Sequence, residues 1–415
     1  MLQPQSNVTL TDASFDEIKH LVSNRAIEGE TVLLNMGPQH PSTHGVLRLL
    51  LELDGEIVQN VIPDIGYLHT GIEKNMEAKT FDKAEVMTDR IDYLNSLGNN
   101  LVYCMAVEKL ADLDVPPRAQ AIRVILTELE RLSSHLVWLG THALDLGAMS
   151  VFLYCFRERE MILDIKEMVS GARMMTTYFR PGGLWRDTPV EFETAVRDFI
   201  NYLPRRIDEY EALLTKNVLF IKRTQNIGVL SAEDALRWGV TGPMLRAAGI
   251  ANDVRKSNPY SGYEQYEFDI PTFTAGDTYA RYQVRVEEMR QAIRIIRQAL
   301  DKLPLGPVRS NNRKFVPPPR SELGVSMEAV IHHFKLWTEG YQVPQGSVYV
   351  ATESPRGELG VYLESDGGNR PYRIHYRTPS FTNLQVLPVI AKGVFVADLV
   401  ALIGTIDITL GDSDR

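Results

Sequence analysis

Two strand-like runs, Val46–Leu53 and Glu56–Ile62, flank the dipeptide Asp54-Gly55. Glycine accepts the positive φ that a tight reversal demands, so this pattern is a strong local signal for a β-hairpin. An antiparallel sheet is therefore expected near the N-terminal end. Further along, Ile122, Ile125, Leu129, Leu132, Leu136 and Leu139 recur at steps of three and four after Pro116-Pro117. That period predicts an amphipathic helix with prolines at its start, where a missing N–H costs little.

Helical patterns also cover roughly 95–112, 155–176, 190–217, 278–303 and 326–338. Val316-Pro-Pro-Pro-Arg320, set among Asn311, Asn312, Arg313 and Ser321, reads as a connector. A second small sheet is expected from Ser347–Glu353, Gly360–Ser365 and Tyr372–Tyr376, with Asp366-Gly-Gly-Asn369 as a turn. The fold class is α+β, a helical core with small antiparallel sheets near both ends. Three regions are expected: 1–70 with the hairpin, a mainly helical core over 71–345, and 346–415 packing back on it.

With 415 residues, 44% hydrophobic and 23% charged, the chain can bury a substantial core. A net charge of −9 gives no reason to expect a nucleic-acid surface. Met1–Glu30 carries Asp12, Asp16 and Glu17 with no apolar centre and does not read as a signal peptide. The most apolar late stretch, Leu387–Leu410, is interrupted by Lys392, Asp398 and Asp407, which a lipid-spanning helix seldom tolerates. Membrane contact is expected only through partners.

Cys104 and Cys155 are the only cysteines and stand far apart in sequence. Four thiolates usually hold an iron–sulfur cluster, so this chain is not expected to bind one alone. Two buried thiols and a reducing, cytoplasmic setting are the expectation. His40 and His44 lie four apart in Gly37-Pro-Gln-His-Pro-Ser-Thr-His-Gly45, but Pro41 and the glycines argue for a loop. The Glu of a zinc-binding H-E-x-x-H helix is missing, so no metal is expected there.

The run N-M-G-P-Q-H-P-S-T-H-G-V-L-R-L, followed by I-G-Y-L-H-T-G-I-E-K and D-R-I-D-Y-L-N-S, resembles the D-type subunits of respiratory complex I. P-R-A-Q-x-I-R-V-I-L-T-E-L-x-R, G-x-T-G-P-M-L-R-A-x-G, D-x-Y-A-R-Y and E-S-P-R-G-E-L-G-V-Y extend the resemblance over most of residues 32–415. The last nine residues, Asp407-Ile-Thr-Leu-Gly-Asp-Ser-Asp-Arg415, resemble the D-P-C-x-x-C-x-x-R ending of nickel-iron hydrogenase large subunits without its cysteines. Thr409 and Asp412 stand at those thiolate positions, and Asp92 and Asn95 at the two of the R-x-C-G-x-C motif. Nickel needs soft thiolate ligands, so the resemblance implies a hydrogenase-large-subunit-like fold that has lost its metal.

It further implies the quinone-binding, 49-kDa-type subunit of a proton-pumping NADH:quinone oxidoreductase. Quinone reduction takes two electrons and two protons, and two hydrogen-bond donors at opposite ends of the ring are useful. By resemblance these are Tyr93 and His44, with Asp145 pairing with the histidine and His40 supporting the loop. Taken alone, Tyr93 reads as a core tyrosine and Asp145 as a helix-end or loop residue. No cofactor is expected on this chain. A small iron-sulfur subunit would bring the terminal 4Fe-4S cluster near Arg90, with Arg356 a weaker candidate for the same role. NAD and FMN would be bound elsewhere in the complex. A C-type subunit, a ferredoxin-like subunit and an H-type membrane subunit would complete its surroundings on the cytoplasmic side of a bacterial membrane.

Departures from the family pattern are Met175, Asn383 and Val394, each where many relatives carry histidine. Methionine cannot titrate, which puts pH coupling through position 175 in doubt. Two rivals stand beside this reading: an active nickel-iron hydrogenase-type subunit, and a structural subunit without chemistry.

Overall fold

The computed structural model describes residues 31–39 and 45–415. A three-stranded antiparallel sheet is formed by β1 (Val32–Met36), β2 (Arg48–Asp54) and β3 (Ile57–Asp64), in that order. Asp54 is the last residue of β2 and pairs with Ile57, so the reversal itself is Gly55-Glu56, with Gly55 at φ 59°. The pairing shifts by one residue between Glu52 and Leu53, leaving Gln59 as an extra residue on β3. β1, which carries no turn signal of its own, adds along β2 from Val32 opposite Leu53 to Met36 opposite Leu49.

The helices α1 (Ile72–Glu77), α2 (Phe81–Thr88), α3 (Ser96–Ala111), α4 (Pro117–Asp145) and α5 (Met149–Ser170) follow. α5 stops six residues short of the expected end because Gly171 turns left-handed at φ 86° and closes it. A minimal hairpin, β4 (Phe179–Arg180) and β5 (Gly183–Leu184), then leads to α6 (Phe192–Leu214) and α7 (Val218–Thr224). After these come α8 (Ala232–Arg237), α9 (Pro243–Ala247), α10 (Val254–Ser257), α11 (Thr278–Asp301) and α12 (Met327–Thr338). The second sheet is β6 (Gly346–Ser354), β7 (Gly357–Ser365) and β8 (Arg373–Arg377), followed by α13 (Pro379–Leu384), α14 (Leu387–Ile390), α15 (Val396–Ile406) and α16 (Leu410–Asp414). The architecture is α+β, with the helices central and the sheets at the flanks.

α4 starts on Pro117 as expected, and its six periodic apolar residues are fully buried. Most of its polar positions are buried too, because α5, α11, α3 and α15 surround it. Each charge that would be costly there has a partner. Arg123 meets Glu108 at 2.6 Å, Glu130 meets Lys166 at 2.7 Å, and Arg131 meets Glu128 at 3.1 Å. Glu128 also accepts from Arg255 at 3.0 Å and from the Tyr263 hydroxyl at 2.6 Å. Arg246 bridges Glu288 at 2.7 Å and Glu353 at 2.8 Å.

The apolar interior has three main parts: one around α4, one between the first sheet and the C-terminal helices, and one between α2, α3 and the second sheet. Leu97 belongs to the first, Leu410 to the second and Ile91 to the third. Residues 92–95 therefore lie where the three meet. Among the described residues no helix is long and apolar enough to cross a membrane.

Candidate active site

The turn between α2 and α3 is held by its own polar groups. Asp92 Oδ1 accepts from the Leu94 amide at 3.0 Å, and Asn99 Nδ2 donates to the Asp92 carbonyl at 3.1 Å. The C-terminal segment reaches this turn by a reversal at Asp407, left-handed at φ 60°, which caps α15. α16 then seats backbone against backbone. A Cβ on Gly411 would lie 2.7 Å from the Ile91 carbonyl oxygen, so only glycine allows this approach. Arg356 enters from the tight β6–β7 turn, where Gly242 lies so close that a Cβ would be 2.4 Å from the Arg356 carbonyl oxygen.

Asp92, Asn95, Thr409 and Asp412, distant in sequence, are all buried, Asp92 and Asp412 beside Arg356. Arg356 Nη1 donates to Asp92 Oδ2 at 2.6 Å, while its Nε donates to the Asp407 carbonyl at 2.8 Å and Nη2 to Asp407 Oδ1 at 3.3 Å. Asp412 Oδ2 accepts from the Ser380 amide at 2.9 Å. Burial, reinforced by Asp92, pushes the Asp412 carboxyl up to about 7, against the pull of Ser380 and Arg356. Tyr93 is half-buried beside this group. Burial and the Asp92 and Asp407 carboxylates raise its hydroxyl pKa, with Arg356 opposing, so the phenol keeps its proton as a donor.

No group of three or more His, Cys, Asp or Glu able to hold a metal occurs among the described residues. Both cysteines are buried, and burial raises both thiols, as suits apolar packing rather than ligation.

Of the residues singled out from sequence, Tyr93 and Arg356 are brought together. Arg356 is sequestered by two carboxylates, whereas Arg90 is exposed and donates to the Val86 carbonyl at 2.6 Å. Asp145 is the final residue of α4, partly buried. His40 and His44 lie outside the described residues, and with them the expected His44–Asp145 pair. Asn383 braces the site by donating to the Arg356 carbonyl at 3.1 Å, and the Val394 carbonyl accepts from the Val58 amide at 2.9 Å. Met175 occupies the left-handed region at φ 54°.

Sequence reasoning assigned no role to Asp407 or Asp414. Asp414 accepts from the Gly66 and Leu68 amides at 2.9 and 2.7 Å, pinning the G-Y-L-H segment to the C-terminal end. Both residues belong to the terminal motif, so the signal was present, but their partners are distant in sequence, 51 residues away for Asp407 and 348 and 346 for Asp414.

Fold and site together define a helical α+β protein whose buried polar centre is built from oxygen and nitrogen groups without a cysteine. The family model for the respiratory-chain NADH dehydrogenase 49 Kd subunit matches residues 145–415. The chain is 62% identical over 389 residues to the D 2 subunit of NADH-quinone oxidoreductase from Chloroflexus aurantiacus, covering 93% of this chain and 95% of that one. The D 1 subunit from Roseiflexus castenholzii is 62% identical over 399 residues, 95% and 96% of the two chains. The corresponding D-type protein of Geotalea uraniireducens is 56% identical over 386 residues, 93% and 99%. The chain belongs to the 49 kDa, D-type subunit family of the respiratory NADH:quinone oxidoreductase, complex I.

Proposed function

We propose that this chain forms the quinone-reduction pocket of its complex, with Tyr93 and His44 donating to the two carbonyl oxygens of the ring and Asp145 orienting His44. The observation that carries this reading is Tyr93 itself. It is a half-buried phenol kept protonated beside the Arg356–Asp92–Asp407 cluster, in a chain whose relatives are named for quinone oxidoreduction. Histidine can reload its proton near neutral pH, and a carboxylate partner fixes its tautomer.

Electrons arrive from the terminal 4Fe-4S cluster of a small iron-sulfur subunit, since the two buried cysteines of this chain are no ligand set. Exposed Arg90 faces that subunit, where its charge favours the reduced cluster. The chain sits on the cytoplasmic side of the membrane, held there by the C-type subunit, the ferredoxin-like subunit and the H-type membrane subunit. NAD and FMN act elsewhere in the assembly, and quinone reduction is coupled to proton translocation.

The test is a paired assay on assembled complex, comparing NADH oxidation with a short-chain quinone against an artificial acceptor that takes electrons upstream. Tyr93→Phe and His44→Ala should each lower the quinone rate about 5- to 150-fold, the effect of losing one hydrogen bond of roughly 1–3 kcal/mol in the transition state. Asp145→Asn should act more mildly, and the artificial-acceptor rate should hold. Wild-type quinone rates in both Tyr93→Phe and His44→Ala would overturn the assignment.

A further inference from the structure

The face of α3 that begins at Asn95 carries a buried polar seam between the candidate site and a cleft lined by Glu85. Asn95, Ser96, Asn99 and Asn100 share this face, and all are at most 1% exposed. At one end Asn99 donates to the Asp92 carbonyl at 3.1 Å; at the other Asn100 Nδ2 reaches Glu85 Oε1 at 3.4 Å. Glu85 and Asp89 lie one turn apart on one side of α2 and its cap, 1% and 0% exposed. Glu85 lines a cleft of about 300 Å³ that also includes Arg180, Trp185, Arg309 and Trp337. Trp185 and Trp337 are exposed at the surface, so the cleft gives Glu85 a connection toward solvent.

The seam is under-satisfied in a patterned way. Asp89 Oδ2 accepts from the Thr177 amide and hydroxyl at 2.7 and 2.6 Å, while Oδ1 has no protein partner. Both side-chain atoms of Asn95, and Oδ1 of Asn99, likewise lack one. Buried polar atoms are nearly always paired with protein or with ordered water. Leftover polar atoms of this kind are the ones that ordered water bridges in protein interiors.

We propose, resting on the quinone reading above, that Glu85 and Asp89 relay protons from this cleft along the α3 face to the Tyr93 centre. In the transfer this route feeds, the Tyr93 O–H bond breaks as one quinone oxygen–hydrogen bond forms, the electrons coming from NADH through the partner subunits. A proton leaving the Asp89 carboxyl restores the phenol through the seam. Glu85 reprotonates Asp89, and a solvent proton at the cleft restores Glu85, so the chain ends unchanged.

The surroundings suit this relay. Arg180 pairs with Glu85 at 3.0 Å, and Arg123, Cys104, Tyr103 and Tyr341 also lie within its electrostatic reach. Burial nevertheless lifts the Glu85 carboxyl to about 8. Glu130 and Arg90 act on Asp89, whose carboxyl burial lifts to about 6 against the Thr177 bonds. Both groups therefore exchange protons near neutral pH. Glu130 itself is held by Lys166 at 2.7 Å and by the Ser96 hydroxyl at 2.9 Å, which makes it a brace of the seam.

The experiment uses assembled complex carrying Glu85→Gln, Asp89→Asn or Tyr93→Phe, assayed with short-chain quinone in H2O and D2O. Glu85→Gln and Asp89→Asn should lower kcat about 100-fold or more, within the range of lost proton transfer. They should enlarge the solvent isotope effect and leave the quinone KM and the artificial-acceptor rate unchanged. Glu85→Asp should restore part of the rate. If both isosteric variants turn over quinone at the wild-type rate while Tyr93→Phe is impaired, the route is overturned and the quinone reading stands. If all three match wild type, and His44→Ala does too, the quinone reading falls and the route with it; if His44→Ala alone is impaired, the route is overturned and the quinone reading stands on the histidine. Should the variants fail to assemble, redox-difference infrared spectra of the wild-type complex decide. A protonated-carboxyl band that shifts on quinone reduction supports the relay; its absence overturns it.

Discussion

Arg356 Nη1 lies 2.6 Å from Asp92 Oδ2, and the same guanidinium holds Asp407 through Nε and Nη2, so one side chain joins three distant segments. Its companions Asp92, Asp407 and Asp412 are all buried. Arg356→Ala would take the guanidinium away from Asp92 and Asp407, and breaking such a pair costs about 3–5 kcal/mol. Arg356→Lys keeps the charge but loses the planar fork, so it should recover only part of the loss. Urea unfolding of the purified variants measures this. Equal stability of Arg356→Ala and wild type would show that the carboxyls are not held by this cation.

Gly411 sets the distance between the two halves of the site. An added Cβ would sit 2.7 Å from the Ile91 carbonyl and 3.2 Å from that of Arg90, both rigid backbone. Gly411→Ala should therefore push α16 away from the turn at Asp92, destabilising by about 1–3 kcal/mol and lowering quinone turnover in whatever complex assembles. Unchanged unfolding midpoint and rate would contradict this seating.

The hairpin at Gly55, the long helix behind Pro117 and the second sheet were legible because each rests on local chemistry: a positive φ, an N1 proline, alternating strands. β1 was not, since Val32–Met36 becomes a strand only by pairing with β2. The exit of α5 at Gly171 was misplaced because the helical pattern continues past the residue that ends it. In the site, Tyr93 was reached by resemblance. The way Arg356 is held was not, because its partners Asp92 and Asp407 stand 264 and 51 residues away. The ion network under α4 was hidden for the same reason: Arg246 meets Glu353 across 107 residues, and no spacing encodes that contact.

His135 gives the fold an acid limit. Its Nε2 lies 3.0 Å from Glu288, and burial depresses the imidazole from its ordinary 6.5 to about 4 even with that partner. The folded ring is therefore neutral and donates Nε2–H. Below about 6.5 the unfolded chain takes up the proton first, so stability falls as pH drops from about 6.5 to about 4, by on the order of 3 kcal/mol. Glu288, which Arg246 and His135 hold near 2 despite its burial, loses its contribution only below the ordinary carboxylate range. His135→Gln should be less stable than wild type at pH 7 yet lose less between pH 7 and 5. Urea midpoints at the two pH values test this, and parallel losses in both proteins would refute it.

Asp414 ties the C-terminal helix to the turn after β3. Its two carboxylate oxygens accept from the Gly66 and Leu68 amides, and its carbonyl lies 2.7 Å from His69 Nδ1. Bonds from amides to a carboxylate are stronger than neutral ones, so Asp414→Ala should cost about 1–3 kcal/mol. Asp414→Asn keeps one acceptor oxygen and should cost less. The loss should also appear locally, as faster hydrogen exchange at Gly66 and Leu68 with little change at the α4 core. The turn and α16 are held to one another by these bonds, and α16 in turn positions Thr409 and Asp412. Quinone turnover should therefore fall in Asp414→Ala although the residue touches no substrate. Unaltered exchange at both amides would show that the carboxylate bonds do not hold the turn.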